Sequence, residues 1–288
     1  MTAPIWKSFD QAALDAQYTT RNQIGAGYDA WNTARRRNSE EARRTLKPVL
    51  DLPYGDRARQ RLDLFPPPEG AVSPPIAIFF HGGFWKSGDK GDLSLVASGL
   101  RSLGAAAVLP NYPLCPVASI DDAVSSAMAA VAWVAARARE FVADPAPIWL
   151  CGHSSGAHLA ASCCARLARQ SGDVAAAVKG AILTSGMYEL EPVRRSYLNQ
   201  DAKLSEADVA ALSPARANTF LRIPVLAAVG DQESSEFIQQ SEDLAAVIKH
   251  LGAAVSLFRV PATSHYTMLE QWRPGSELLT RFRSLLAA

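Results

Sequence analysis

Pro147-Ile148-Trp149-Leu150-Cys151-Gly152-His153-Ser154-Ser155-Gly156-Ala157-His158 is an apolar run that meets a Gly-x-Ser-x-Gly turn and continues into a small-residue helical pattern. It reads as a strand, a sharp turn and a helix, the setting a nucleophile elbow needs. Glycines on both sides leave room for a strained backbone, so the central Ser154 hydroxyl stands exposed above a sheet edge. Ser154 is therefore the candidate nucleophile. The motif is short enough to arise by chance, and its weight depends on what the rest of the chain places around it.

Outward from this turn, short β-prone runs alternate with longer helical patterns. The candidate strands are 61–65, 76–80, 105–109, 148–151, 181–184, 225–229 and 255–260. Between them, Val124, Met128, Val131, Val134 and Ala138 keep helical spacing behind Asp121 and Asp122, whose charges suit a helix start. Phe237, Leu244, Ile248 and Leu251 do the same ahead of Gly252, a helix stop. Parallel strands need crossover connections, so the alternation predicts a mostly parallel, doubly wound α/β sheet covered by helices on both faces. Ligands of such sheets sit beyond the carboxyl ends of the strands.

The composition is that of an ordinary globular chain. Its 288 residues and 48% hydrophobic content suffice for one substantial core, read as a single domain over 1–288. Residues 1–46 read as an N-terminal helical arm and 189–220 as an insert, both expected to act as small helical cap elements. The 29 basic and 28 acidic side chains nearly cancel, which argues against nucleic acid or an anionic membrane as partner. Arg35-Arg36-Arg37 is read as a solvated helix face. Cys115, Cys151, Cys163 and Cys164 lack metal or redox spacing and read as reduced core thiols. The stretch Met1–Lys7 has no basic region followed by an apolar core, and no apolar run approaches membrane-spanning length, so the expectation is a cytoplasmic protein. A homodimer is left open.

The strand ends carry the chemistry. After 76–80 comes His81-Gly82-Gly83-Phe84-Trp85, whose paired glycines let main-chain N–H groups approach a developing oxyanion. The N–H of Ser155, the residue after the nucleophile, would complete that hole with Gly82 and Gly83. After 225–229 comes Gly230-Asp231-Gln232-Glu233, where either Asp231 or Glu233 could orient a histidine or merely cap the next helix. After 255–260 comes Pro261-Ala262-Thr263-Ser264-His265, in the last loop before a C-terminal helix. The chain order Ser, acid, His is the one this architecture uses. His153, His158 and His250 fit the base less well, and no His-Glu-x-x-His or comparable metal pattern occurs.

These residues resemble the kynurenine formamidase (arylformamidase) branch of the α/β-hydrolases, close to the hormone-sensitive-lipase-like esterases. His81-Gly82-Gly83-Phe84-Trp85 looks like that branch's oxyanion motif, Gly152–His158 is similar to its elbow, and Glu233-Ser234-Ser235-Glu236-Phe237 resembles its acid-containing stretch. The resemblance puts the acid at Glu233 rather than Asp231. The family often carries Asp there, so Glu233 is a departure. What the resemblance implies is an α/β-hydrolase in which Ser154, Glu233 and His265 form a triad acting without metal or organic cofactor on a small-molecule aryl formamide or ester. Phe84, Trp85, Tyr112, Tyr188 and Tyr197 are the candidates for an aromatic substrate wall. A general carboxylesterase is the alternative, and a non-catalytic ligand-binding hydrolase fold is a third reading.

Overall fold

The computed structural model describes residues 3–142 and 146–287. Eight strands form one sheet: β1 Val49–Pro53, β2 Arg61–Phe65, β3 Ile76–Phe80, β4 Ala106–Pro110, β5 Ile148–His153, β6 Val178–Thr184, β7 Val225–Gly230 and β8 Val255–Val260. Their spatial order is β1-β2-β4-β3-β5-β6-β7-β8. The contacts of β2 with β1 and with β4 are antiparallel, and every other pairing is parallel. The seven expected strands are all present. β1 was not expected: it is an edge strand with Val49 and Leu50 half exposed, so it carries no burial pattern for a sequence reading to find.

Side-chain alternation divides the interior into two layers. Ile76, Ile78 and Phe80 of β3, with Ile148 and Leu150 of β5, face one apolar cluster that includes Val131, Leu159 and Cys163. Ala77 and Phe79 of β3, with Trp149 and Cys151 of β5, face the other, which includes Leu100, Trp272 and Phe282. Because side chains alternate faces along a strand, a sheet covered on both sides needs continuous apolar strands, which is what β3 and β5 supply. The helix Ile120–Arg137 starts at a capping box in which the Ser119 side chain accepts from the Asp122 N–H and the Asp122 carboxylate accepts from the Ser119 N–H. The helix Ser235–His250 ends ahead of Gly252, which takes a φ of +83°.

The arm and the insert are fastened to each other. The arm forms helices Gln11–Tyr18 and Tyr28–Leu46, with a short turn of helix at Arg21–Ile24 between them. Residues 189–220 form short helices at Glu191–Arg195, Asn199–Ala202 and Glu206–Leu212. The Tyr197 N–H donates to Asp15 at 2.8 Å, and the Tyr197 hydroxyl donates to the Tyr18 carbonyl at 3.1 Å. Arm helix Tyr28–Leu46 is held by a buried ionic knot: Arg43 and Lys90 both meet the fully buried Asp63 of β2, and Lys90 also reaches Asp51 of β1 at 2.7 Å. Among the described residues, no helix is long and apolar enough to cross a membrane.

Two buried histidines sit in this framework in the neutral form. His158 accepts at Nδ1 from the Trp85 indole N–H at 3.3 Å, so its proton lies on Nε2 and is donated to the Leu212 carbonyl at 2.8 Å. Burial lowers its pKa to about 4, and burial likewise lowers that of His81 to about 4. In the unfolded chain both take up a proton near the ordinary histidine value of about 6.5. Between those values the unfolded state binds more protons, so the stability these groups confer is full above about pH 6.5 and is lost as the pH falls toward 4. The urea midpoint is expected to fall steadily from pH 7 to pH 5, with a loss on the order of 2 kcal/mol per histidine at the lower end. A flat midpoint across that interval would contradict the neutral assignment.

Candidate active site

All the candidate residues leave the sheet at one edge, because the parallel strands deliver their carboxyl ends there. β5 runs through Gly152 and His153 directly into Ser154, and the helix Ser155–Leu167 follows at once. Ser154 is held at φ 58°, ψ −127°, a conformation a non-glycine residue adopts only under constraint. The constraint comes from how closely its neighbours pack. A Cβ at Gly156 would lie 1.9 Å from the Phe80 carbonyl oxygen of β3, and one at Gly152 would lie 2.3 Å from the Gly156 carbonyl oxygen. Both motif glycines are thus required by close approach of strand to helix.

Ser154 Oγ lies 3.0 Å from His265 Nε2. On the far side of the ring, His265 Nδ1 lies 2.6 Å from Glu233 Oε2. With Nδ1–H donating to the carboxylate, the Nε2 lone pair faces the serine hydroxyl. The other carboxylate oxygen, Oε1, accepts from the Ser185 hydroxyl at 2.5 Å and from the Gly230 N–H at 2.8 Å. Glu233 and His265 are both buried. Asp231, the competing acid, is exposed and accepts from the Thr263 N–H at 3.3 Å, where it braces the loop leading to His265. The imidazole is further packed between Phe237, with ring centroids 4.3 Å apart, and His153, at 4.7 Å. Burial, with the neighbouring His265 second, holds the His153 pKa well below the usual histidine value, so the ring beside His265 is neutral.

The glycine loop lies against the serine. A Cβ at Gly82 would sit 2.9 Å from Ser154 Cβ and 3.0 Å from the His153 carbonyl oxygen, so only glycine brings this backbone so near the hydroxyl. The main-chain N–H groups of Gly82, Gly83 and Ser155 have no acceptor among the described residues. His81 is stacked on Tyr112, whose hydroxyl donates to the His81 carbonyl at 2.8 Å. Asn111 and Arg59 hold the loop's far side: the Lys90 N–H donates to Asn111 Oδ1 at 2.8 Å, and Arg59 donates to the Gly88 carbonyl at 2.9 Å.

A cleft of about 360 Å³ opens over Ser154 and His265. Of the five aromatics expected to wall it, Phe84 does so. The expectation needs correcting for the others. Trp85 turns inward to His158, Tyr112 is buried against His81, and Tyr188 is fully buried beside Gly186, because each ring buries more apolar surface in the core than a wall position offers. Tyr197 is half buried, bonded to the Tyr18 carbonyl, and tied into the arm. Phe84 and Trp85 both have positive φ (52° and 56°), and their successive side chains part, one to the cleft and one to the core.

The wall comes instead from a part of the sequence not singled out for it. Tyr28, Trp31, Asn32, Arg35 and Arg36 of the arm line the cleft, as does Tyr266, which follows His265. The rings of Trp31 and Tyr28 lie 4.9 and 5.1 Å from that of Tyr266. The reading of Arg35-Arg36-Arg37 as one solvated face holds for Arg36 and Arg37, which are exposed, and is corrected for Arg35, which is half-buried and bonded to Asp92; Arg36 lines the cleft from its exposed rim, and Arg37 faces away. The spacing 28, 31, 32, 35, 36 is one helical stripe and was the available signal. Ser185, the donor behind Glu233, was also missed; its position directly after β6 was the clue.

A family model described as the alpha/beta hydrolase fold matches residues 77–269. The chain is 31% identical to the kynurenine formamidase of Danio rerio and 30% identical to that of Salmo salar, in each case over 96% of this chain and 96% of the relative. A solved Silicibacter structure, provisionally described as a thioesterase, superposes with a TM-score of 0.80 at 28% identity, covering 96% of this chain and 99% of that one. Family model, full-length relatives and sheet topology agree: this chain is a hydrolase that belongs to the α/β-hydrolase fold family, in its kynurenine formamidase branch.

Proposed function

We propose that the protein is a serine hydrolase that cleaves an aryl formamide of the N-formylkynurenine type. The observation that carries the reading is the continuous chain of contacts from Ser154 Oγ to His265 at 3.0 Å and from His265 to Glu233 at 2.6 Å, set beneath an aromatic cleft. Ser154 Oγ attacks the formyl carbon while its proton passes to His265 Nε2. The carbonyl oxygen becomes an oxyanion, which the free N–H groups of Gly82, Gly83 and Ser155 stabilise. Glu233 holds the ring in the tautomer that can accept this proton and offsets the imidazolium charge. The tetrahedral species collapses, His265 protonates the departing aryl amine, and a formyl ester remains on Ser154. Water, deprotonated by His265, then releases formate and restores the hydroxyl.

The formyl group needs little room at the serine, whereas the aryl leaving group needs a flat apolar surface. Phe84, Trp31 and Tyr266 supply one on the same cleft. The relatives of similar length named kynurenine formamidase support the same substrate class.

Ser154→Ala is expected to lower kcat by about 10⁴-fold or more and to abolish labelling by a fluorophosphonate probe. Undiminished labelling would remove Ser154 from the mechanism. Glu233→Ala is expected to cost about 10²- to 10⁴-fold in kcat, against less than about threefold for Asp231→Ala, and the reverse order would transfer the acid's role to Asp231. For the substrate, kcat/KM for N-formylkynurenine should exceed that for phenyl acetate and p-nitrophenyl butyrate. Negligible formamide turnover beside rapid ester hydrolysis would make the protein a carboxylesterase using the same residues.

A further inference from the structure

We propose that Arg36 is a specificity residue: its guanidinium anchors a carboxylate on the substrate, so that the cleft selects aryl formamides whose side arm carries a carboxylate. The proposal rests on the formamidase reading for its substrate and on the charge balance of the cleft for its residue. Four ionised side chains other than the triad line the cleft: Arg35, Arg36, Asp89 and Asp92. Three of them are matched. Arg35 meets Asp92 at 3.4 Å, donates to the Asp92 carbonyl at 2.8 Å, and is steadied by Asn32 at 2.8 Å. Asp89 accepts from Asn111 at 2.7 Å and from the Gly91 N–H at 2.9 Å, and faces Arg59 at 3.8 Å. Arg36 is exposed and has no hydrogen bond or ion pair among the described residues, so with Asp92 matched by Arg35 and Asp89 by Arg59, its positive charge is the one left unmatched on this wall.

Its placement follows from the arm helix. Arg36 lies eight residues after Tyr28 and four after Asn32, on the stripe that faces the cleft, while Arg37 lies on the outward stripe with Asp29 and Thr33. The Arg35 contacts and the Arg43 pairing with Asp63 fix the rotation of that helix, so the Arg36 side chain starts from a defined point on the rim. A guanidinium presents paired donors in the geometry of a carboxylate, and a bidentate contact of this kind discriminates against an analogue that lacks the carboxylate. The aryl group would lie against the aromatic wall between this anchor and Ser154. The aromatic rim alone would accept aryl substrates with and without a carboxylate alike; Arg36 is what would separate them.

The experiment compares kcat/KM for N-formylkynurenine with that for its carboxamide, in which the carboxylate is replaced by a neutral amide, in wild type, Arg36→Gln and Arg37→Gln. The acid-to-amide ratio is expected to fall about tenfold in Arg36→Gln and to stay within twofold of wild type in Arg37→Gln. A ratio in Arg36→Gln within twofold of wild type overturns the proposal, as does an equal fall in both variants, which would assign the preference to long-range charge. A matched pair of aryl acetates, one bearing a carboxylate and one its amide, is run in parallel. If formamides are not turned over, the same fall on the ester pair sustains Arg36 while the formamidase reading fails, and an unchanged ester ratio ends both.

Discussion

The site depends on one close packing contact, the seating of the Gly156 backbone on the Phe80 carbonyl of β3. It sets the height at which the helix Ser155–Leu167 leaves β5, and so forces the whole change of direction into a single residue, Ser154, at positive φ. Such a conformation costs on the order of 1–3 kcal/mol and persists only where the surroundings over-determine it. Here they do: the helix is buried along almost its full length, and β5 is buried at every position. The strained serine is paid for by the two apolar layers described above. The geometry of the candidate site is therefore a property of the core, and the loops carrying Glu233 and His265 converge on a hydroxyl that cannot move away from them.

Much of this was legible because the residues concerned sit where a strong local signal ends. β3, β5 and β7 are buried apolar runs, and β8 is an apolar run broken by Ser256 and Arg259; each stops at a glycine, a serine or a loop, so the first polar residues after them could be placed on the functional edge before their neighbours were known. Where burial weakens, the reading weakens with it. β6 begins at Val178, three residues earlier than its apolar run, because Lys179 points to solvent and Gly180 yields its space to the Trp149 ring. β1 was invisible because an exposed edge buries too little to leave a pattern.

The aromatic residues show a different limit. A sequence gives a ring's size but not whether the core or the cleft will take it; Phe84 and Trp85 are adjacent, share a strained backbone, and go to opposite fates. The arm shows a third limit. Its basic stretch has the composition of a solvated helix, yet the same helix turns Tyr28, Trp31 and Arg35 toward the site, and only the position of Asp63, Ser94 and Asp92 on other elements decides which face that is. Charged helices are ambiguous in this way because their own residues do not specify what covers them.

The surroundings of His265 complete the electrostatic logic. In the acyl transfer proposed above, its buried ring becomes an imidazolium, and an unmatched charge there is expensive. A second titrating ring lies 4.7 Å away in His153, and a positive charge there would oppose the transfer directly. Burial keeps His153 neutral, and the Thr184 hydroxyl at 3.3 Å occupies its Nδ1, so the ring adds packing without adding charge. On the opposite side the Ser185 hydroxyl and the Gly230 N–H both occupy Glu233 Oε1, which leaves Oε2 directed at the imidazole. In the proposed reaction the compensating negative charge is thus aimed in advance, and little reorganisation is left for the transition state to require. That arrangement also accounts for a glutamate reaching the ring where an aspartate would be shorter: Glu233 lies three residues beyond Gly230, and its extra methylene spans from the end of β7 to the ring while its own backbone N–H turns back to the Gly230 carbonyl at 3.3 Å.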